Sequence, residues 1–390
     1  MFGIKLGNLL LIAGIGLTLS CSESNLPTLD IVKTTPIGWQ DKESCVLLYN
    51  GYGNEIEIPA RIKCRGGVSR RYDKHSFSVE LSSAYGLCNL PPDDDWVLNA
   101  NYIDKTFMRH KICFDLFMQM NQDNVAPACS YLNVMINHDY AGLFVLMEEI
   151  NASRVGLDKK DTMAMLFKEP PVFYQDRLVF IQDSLNYYQQ KYPDISVSDK
   201  TSYMESFRDF LFHSDDHVFA SEIARWIDMD NIMDWHLLLM ITNNADGLMK
   251  NFYLYKQNAQ TPFRIAIWDY DHCLGRDGDN ELNMLINVID CNKSILFKRL
   301  TMNPEMGYRK KLKDRWIELR ESEVFTLKNL KCQIDRNDRR IRREVSKNFV
   351  KWPVESQWYY DNNTYADEIV LLLNFVEIRL HQLDDYFSRW

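Results

Sequence analysis

The chain has 390 residues and a formal net charge of −9, with hydrophobic residues at 46% and charged residues at 25%. That balance excludes an intrinsically disordered chain, which has too little apolar surface to bury. It also argues against nucleic acid as the main partner, because phosphate binding calls for a basic surface. The length suits one large domain or two lobes sharing an interface.

At the N-terminus Lys5 precedes an apolar, small-residue run from Leu6 to Ser20, then Cys21 and the polar Ser22-Glu23-Ser24-Asn25. The run is short for a permanent span, and residues 1–21 read as an export signal. Thr18-Leu19-Ser20-Cys21 is similar to a bacterial lipobox, in which Cys21 becomes the lipidated first residue. Leu is usual where Thr18 stands, and a plain cleaved signal peptide or an uncleaved anchor is the competing reading. The expectation is a cell-envelope lipoprotein, periplasmic or surface-facing, that meets the membrane only through its lipid. The eight cysteines after Cys21 include no C-x-x-C pair, so zinc or thioredoxin-like chemistry has no support. Cys64, Cys113 and Cys129 lie in apolar runs, as buried small hydrophobes do.

Residues 22–150 are mostly strand-like. Cys45–Tyr49 is a short apolar run, Ile56, Ile58, Ala60 and Ile62 alternate with polar residues, and His75–Leu81 alternates again. Asp104–Met120 predicts a helix that Asp104 can cap. Ser130–Ile136 and Gly142–Met147 flank a turn at Asn137-His138-Asp139-Tyr140. From 151 to 390 the spacing turns helical: Arg177–Gln190, Tyr203–His213, Asn231–Thr242, a charge-laced stretch from Met306 to Phe349, and Tyr365–Phe387. One hairpin, Phe252–Tyr255 with Phe263–Ile267, interrupts them. The expected class is α+β, with a strand-rich first lobe and a helix-rich second.

Chemistry concentrates at that hairpin. Asp246 and Asn251 stand five residues apart in Asn243-Asn244-Ala245-Asp246-Gly247-Leu248-Met249-Lys250-Asn251, and the strand ending at Trp268 leads into Asp269-Tyr270-Asp271. The cluster lies between apolar segments, and buried carboxylates are costly unless paired or metal-bound. Upstream, Arg65-Gly66-Gly67-Val68-Ser69-Arg70-Arg71-Tyr72-Asp73-Lys74 sets glycines between cations. That is either an anion cradle or a hairpin turn with surface cations. His138, His236 and His272 form no metal set by spacing, and His236 sits in an apolar helical run as an interior histidine. Trp96, Trp268 and Trp316 read as core. The cations of Arg309-Lys310-Lys311, Arg315 and Arg339-Arg340 alternate with acids, as on a solvated helix face.

Five blocks in order resemble the spore coat protein H (CotH) kinase-like family. They are Arg65-Gly66-x-x-Ser69 with Lys74; Asp95-Trp96-Val97-Leu98 with Asp104-Lys105 and Met108-Arg109; Tyr140-x-Gly142-Leu143-Phe144-Val145-Leu146 with Glu148; Asn244-x-Asp246-Gly247 with Asn251; and Trp268-Asp269-Tyr270-Asp271 with Gly275. The resemblance implies a divergent, two-lobed protein-kinase-like fold and transfer of the ATP γ-phosphate, with Mg²⁺ or Mn²⁺, to Ser/Thr of an unidentified envelope or secreted protein. It implies Asp246 as the catalytic Asp and Asn251 and Asp269 as metal ligands, with Asp271 a substitute or second ligand. Lys74 would neutralise phosphates, with Arg65 a further candidate and Lys63 a rival.

The helix from Asp104 contains no Glu, so a carboxylate partner for Lys74 must come from elsewhere, Glu148 or Glu149. His-Arg before the catalytic Asp is replaced by Asn244-Ala245, Asp-Phe-Gly by Asp-Tyr-Asp, and no Gly-rich phosphate loop is visible. The competing functional readings are a surface lipoprotein acting in binding or assembly, and a hydrolase using Asp246 and Asp269 as its carboxylates.

Overall fold

The computed structural model describes residues 26–51, 53, 55–174, 186–276, 285–354 and 361–390. Cys21, the export signal and most of the helix expected over 177–190 lie outside these residues. The chain is mixed α and β with a strand-rich N-terminal part. That part closes into a seven-stranded barrel: β1 (Thr28–Val32), β2 (Glu43–Asn50), β3 (Glu55–Arg65), β4 (Ser76–Tyr85), β5 (Asp93–Asn99), β6 (Cys129–Ile136) and β7 (Asp139–Glu148). The order is β1-β2-β3-β4-β5-β7-β6. Neighbours are antiparallel except the closing pair, β1 with β6, which is parallel.

The alternation in β3 turns Ile58, Ala60 and Ile62 into the barrel interior with Leu47, Val79, Trp96 and Leu132. On β7 both faces are apolar. Phe144 and Leu146 point into the barrel, whereas Leu143, Val145 and Met147 join the larger core shared with the helices. A strand covered on both faces reads as one continuous apolar run.

A second, four-stranded antiparallel sheet has the order β11-β10-β8-β9, with β8 Met165–Lys168, β9 Gln190–Tyr192, β10 Phe252–Lys256 and β11 Arg264–Ile267. The helices are α1 (Arg109–Met120), α2 (Thr201–His213), α3 (Asp216–Trp226), α4 (Met229–Thr242), α5 (Ala245–Met249), α6 (Ile295–Met302), α7 (Tyr308–Glu321), α8 (Leu327–Lys351) and α9 (Tyr365–Ser388). The described end of the helix expected over 177–190 is instead a turn leading into β9 at Gln190, and two helix boundaries also differ from expectation. The helix expected from Asp104 starts at Arg109, because Phe107 has φ +60° and residues 104–108 form a turn. The stretch from Met306 breaks at Glu323, φ +62°, into α7 and α8. Arg315 is no solvated cation: it bonds the buried Asp234 at 2.9 Å.

Buried charges fasten the start of α1 to the C-terminal helix. Arg109 is fully buried and bonds Asp104 at 2.6 Å, Glu368 at 3.3 Å and the Cys273 carbonyl at 2.9 Å. Arg276 joins Glu368 and, at 2.8 Å, Asp361, to which Lys105 also donates at 2.9 Å. Burial alone would raise the Asp104 carboxyl. The Arg109 charge and the Thr106 and Arg109 hydrogen bonds outweigh it and hold the group below its ordinary value.

Helix α8 packs on β7. The Leu143 N–H donates to Asn348 Oδ1 at 3.1 Å, and Trp352 Nε1 donates to the Ala141 carbonyl at 2.9 Å. Between them Gly142 has φ +134°, and a Cβ there would lie 2.8 Å from Asn348 Oδ1 and 2.9 Å from Lys74 Cε. Glycine is the residue that fits such backbone and such crowding.

Removing one partner of a buried ion pair leaves an uncompensated charge, which costs about 3–5 kcal/mol. Arg109→Met is expected to lose stability on that scale in urea unfolding; a loss below about 1 kcal/mol would show that the network does not hold the fold. His236 is buried against Tyr308 Oη at 3.2 Å, and burial lowers its pKa from 6.5 to about 3. Between those values the unfolded chain binds the extra proton, so the stability that the neutral ring contributes is complete above pH 6.5 and is lost as pH falls toward 3. His236→Gln is expected to flatten the acid limb of the stability curve in that window. An unchanged slope would contradict the assignment.

Candidate active site

The β10–β11 hairpin builds the site. Phe252 faces Ile267 across the ladder, so Asn251 and Trp268 meet at the hairpin's open end, where the Trp268 N–H donates to the Asn251 carbonyl at 3.0 Å. Asn251 and Asp269 then leave the ladder with φ +62° and +58°. The side-chain amide of Asn251 donates to the Asp269 carbonyl at 2.9 Å, tying the two expected ligands together through the backbone. Upstream, Asn244 caps α5 by accepting the Gly247 N–H at 2.8 Å. A Cβ on Gly247 would meet Asn244 Nδ2 at 2.8 Å and Tyr270 Oη at 3.0 Å, so the turn carrying Asp246 packs closely against the Asp-Tyr-Asp segment. Asp246 pairs with Lys250 at 3.1 Å, both being about two-fifths exposed (38% and 41%), so its carboxylate remains open to solvent.

Asp269 meets a partner that sequence spacing did not single out. His110, in the first turn of α1 and fully buried, places Nε2 3.1 Å from Asp269 Oδ1. The donor atoms of His110, Asp269 and Asp271 lie within 4.8 Å of one another, a set of carboxylate oxygen and imidazole nitrogen that fits a divalent ion. Burial would raise the Asp269 carboxyl, but the His110 hydrogen bond and charge, with the Arg65 and Lys168 cations, hold it well below the usual range. Asp271 goes the other way, raised by burial and by the Asp269 charge beside it. The His110 ring would be lowered by burial, and the Asp269 hydrogen bond and the surrounding carboxylates raise it instead.

Arg65, at the end of β3, stacks its guanidinium 5.3 Å over the Trp268 ring, and its Nη1 is buried without a hydrogen-bond partner. The barrel thereby delivers a cation to the acidic pair. Lys74 lies elsewhere. It is buried and donates to the carbonyls of Ala100, at 2.8 Å, and Leu143, between the rings of Phe107 and Phe144. Burial pushes its pKa well below the ordinary lysine value. Glu148 accepts the Ala128 N–H at 2.8 Å and pairs with Arg154 at 2.6 Å. Lys63 donates to the Gln40 carbonyl at 3.0 Å on the exposed face of the barrel.

The family described as CotH kinase protein matches residues 62–383. The chain belongs to the CotH family. It is also 24% identical over 298 residues to the inner spore coat protein H of Bacillus subtilis strain 168, covering 74% of this chain and 78% of that protein. The CotH match takes in Arg65, Lys74, His110, Glu148, Asp246, Asn251, Asp269 and Asp271, while β1, β2 and the first part of β3 precede it. His110 adjoins Met108-Arg109 of the second CotH-like block, and that adjacency is the signal by which the sequence exposes it.

Proposed function

We propose that the chain is an atypical protein kinase of the CotH family, transferring the γ-phosphate of ATP to a Ser or Thr hydroxyl of an envelope or secreted protein. We take the barrel and the helical part as the two lobes of a kinase-like fold. The observation that carries the reading is the convergence of Asp269, Asp271 and His110, as a metal-capable set, with an unpartnered Arg65 Nη1 beside it. A divalent ion held there would neutralise charge on the phosphates.

The residues divide the work. Asp246, exposed on α5, accepts the proton of the acceptor hydroxyl as the new O–P bond forms and the bond to ADP breaks. Asn251 fixes the backbone of Asp269, and Arg65 supplies charge to the phosphoryl oxygens. Catalysis here is positioning and electrostatics, which suits a site built from hairpin ends and a helix turn.

The second reading, a surface lipoprotein acting in binding or assembly, is favoured by one observation. Lys74 and Glu148 are engaged with Ala100, Leu143 and Arg154 and do not face each other as a phosphate-binding pair. Both readings share an envelope setting, supported by the spore-coat relative and by the lipobox-like residues ending at Cys21. Among the described residues no helix is long and apolar enough to cross a membrane.

Incubated with labelled ATP, the mature protein is expected to label itself or a partner. Asp246→Ala is expected to lose about 10²–10⁴-fold in rate, the range for a positioned general base, and Asp269→Ala to abolish transfer. Equal labelling by wild type and both variants would sink the kinase reading, and nucleotide binding without transfer would leave the binding reading. Labelled fatty acid is expected in the wild type and not in Cys21→Ala; label that survives the substitution refutes the anchor.

A further inference from the structure

We infer that His110 is itself a metal ligand, through Nε2, and that Asn101 is the residue that orients it. The inference rests on the proposed metal site but concerns ligation, not transfer. Its starting point is how His110 is surrounded. The ring is fully buried at the N-terminal end of α1, an unusual place for an imidazole, and its two nitrogens face different chemistry. Nε2 looks toward the acids, 3.1 Å from Asp269 Oδ1. Nδ1 looks inward, 3.4 Å from the Asn101 side-chain amide.

Asn101 is buried, at 2% exposure, and its Oδ1 has no hydrogen-bond partner. The two ends of an Asn amide are interchangeable in shape, and their assignment follows from the hydrogen bonds they make. Turned over, the amide presents Oδ1 to the Nδ1–H and places its nitrogen where the oxygen stood. With Nδ1–H held there, a metal ion that displaces the Nε2 proton now shared with Asp269 finds the lone pair on Nε2. A histidine that binds metal through one nitrogen characteristically gives its other N–H to a buried acceptor of this kind. The Asn101 contact at Nδ1 and the acids at Nε2 are independent observations, and ligation through Nε2 fits both.

The spacing agrees. Donors about 2.1 Å from a common ion lie about 3 Å apart when adjacent and about 4.2 Å when opposed. The three donor atoms stand within 4.8 Å of one another, so small side-chain rotations bring them onto one centre. A mixed set of one imidazole and two carboxylates suits a first-row divalent ion such as Mn²⁺. The alternative role for His110 is a plain ion-pair partner that positions Asp269.

Electron spin-echo spectroscopy of the full mature protein loaded with Mn²⁺ distinguishes the two roles. Wild type is expected to show modulation from a directly bound imidazole nitrogen, and His110→Asn to lose it. Asn101→Ala is expected to keep the modulation but to weaken Mn²⁺ binding about 10-fold to 100-fold, the usual effect of removing an orienting partner. Asn101→Asp, which still accepts from Nδ1, is expected to restore it. Bound Mn²⁺ without nitrogen modulation in the wild type, or no Mn²⁺ bound at all, overturns the inference without requiring any variant to fold. Nitrogen modulation in a protein that transfers no phosphate upholds the ligand and refutes only the kinase reading.

Discussion

The Arg109 guanidinium is the constraint on which the rest of this structure depends. It is buried with Asp104 and Glu368 and takes the Cys273 carbonyl as well, so the first turn of α1, the segment after Asp271 and the start of α9 meet on one cation. A charge so placed is tolerated only with its acceptors satisfied. These contacts hold the first turn of α1 where the next residue, His110, reaches the acids. Arg109 and His110 thus act in tandem. One holds the helix against the segment that follows the acidic pair, and the other reaches the pair itself.

Around that fixed point the two halves of the chain contribute unlike things. The barrel supplies a rigid wall from which Arg65 leans over Trp268, and the helical part supplies Asp246 on a single helical turn. The hairpin joins them, with two left-handed backbone positions at its mouth turning Asn251 and Asp269 out of the ladder. Non-glycine residues in that conformation are uncommon and concentrate at functional sites. Nearby, Cys113 and Cys273 bring their thiols to 3.5 Å in the same buried layer, so even the sulfur atoms here lie at an α1-to-loop contact.

Much of this was legible in the sequence, and what was not has definite causes. The alternation of Ile56 to Ile62 and the apolar run of Leu143 to Met147 announced strands because burial on one or two faces leaves a periodic trace. The closure of the barrel left none, since it depends on β1 meeting β6 at long range. β5 was hidden by Asp93-Asp94-Asp95, which opens it with charge, and β8 and β9 are too short to show a period. The acids of the site were visible as a cluster.

His110 was not, because it stands among Met108, Ile112 and Phe114 and shares their burial. Lys74 follows four polar or charged neighbours, and nothing local shows that packing takes it between two aromatic rings. One carboxylate that meets α1 is Glu368, 259 residues from its partner Arg109, a distance over which sequence pattern carries no signal.

The contact between α8 and β7 bears on how the chain comes to be folded at all. All seven barrel strands have been synthesised by residue 148, yet the acceptor for the Leu143 N–H is Asn348, 205 residues later. Until α8 is in place, the outer face of β7, with Leu143, Val145 and Met147, lacks part of the cover it has in the folded chain. Surface of that kind invites aggregation or capture by chaperones until its cover arrives. The cover is a helix about 37 Å long, at 1.5 Å per residue over 25 residues. The N-terminal half is thus complete in its strand pairing long before it is complete as an object, and the last hundred residues act on it as an intramolecular chaperone that never leaves.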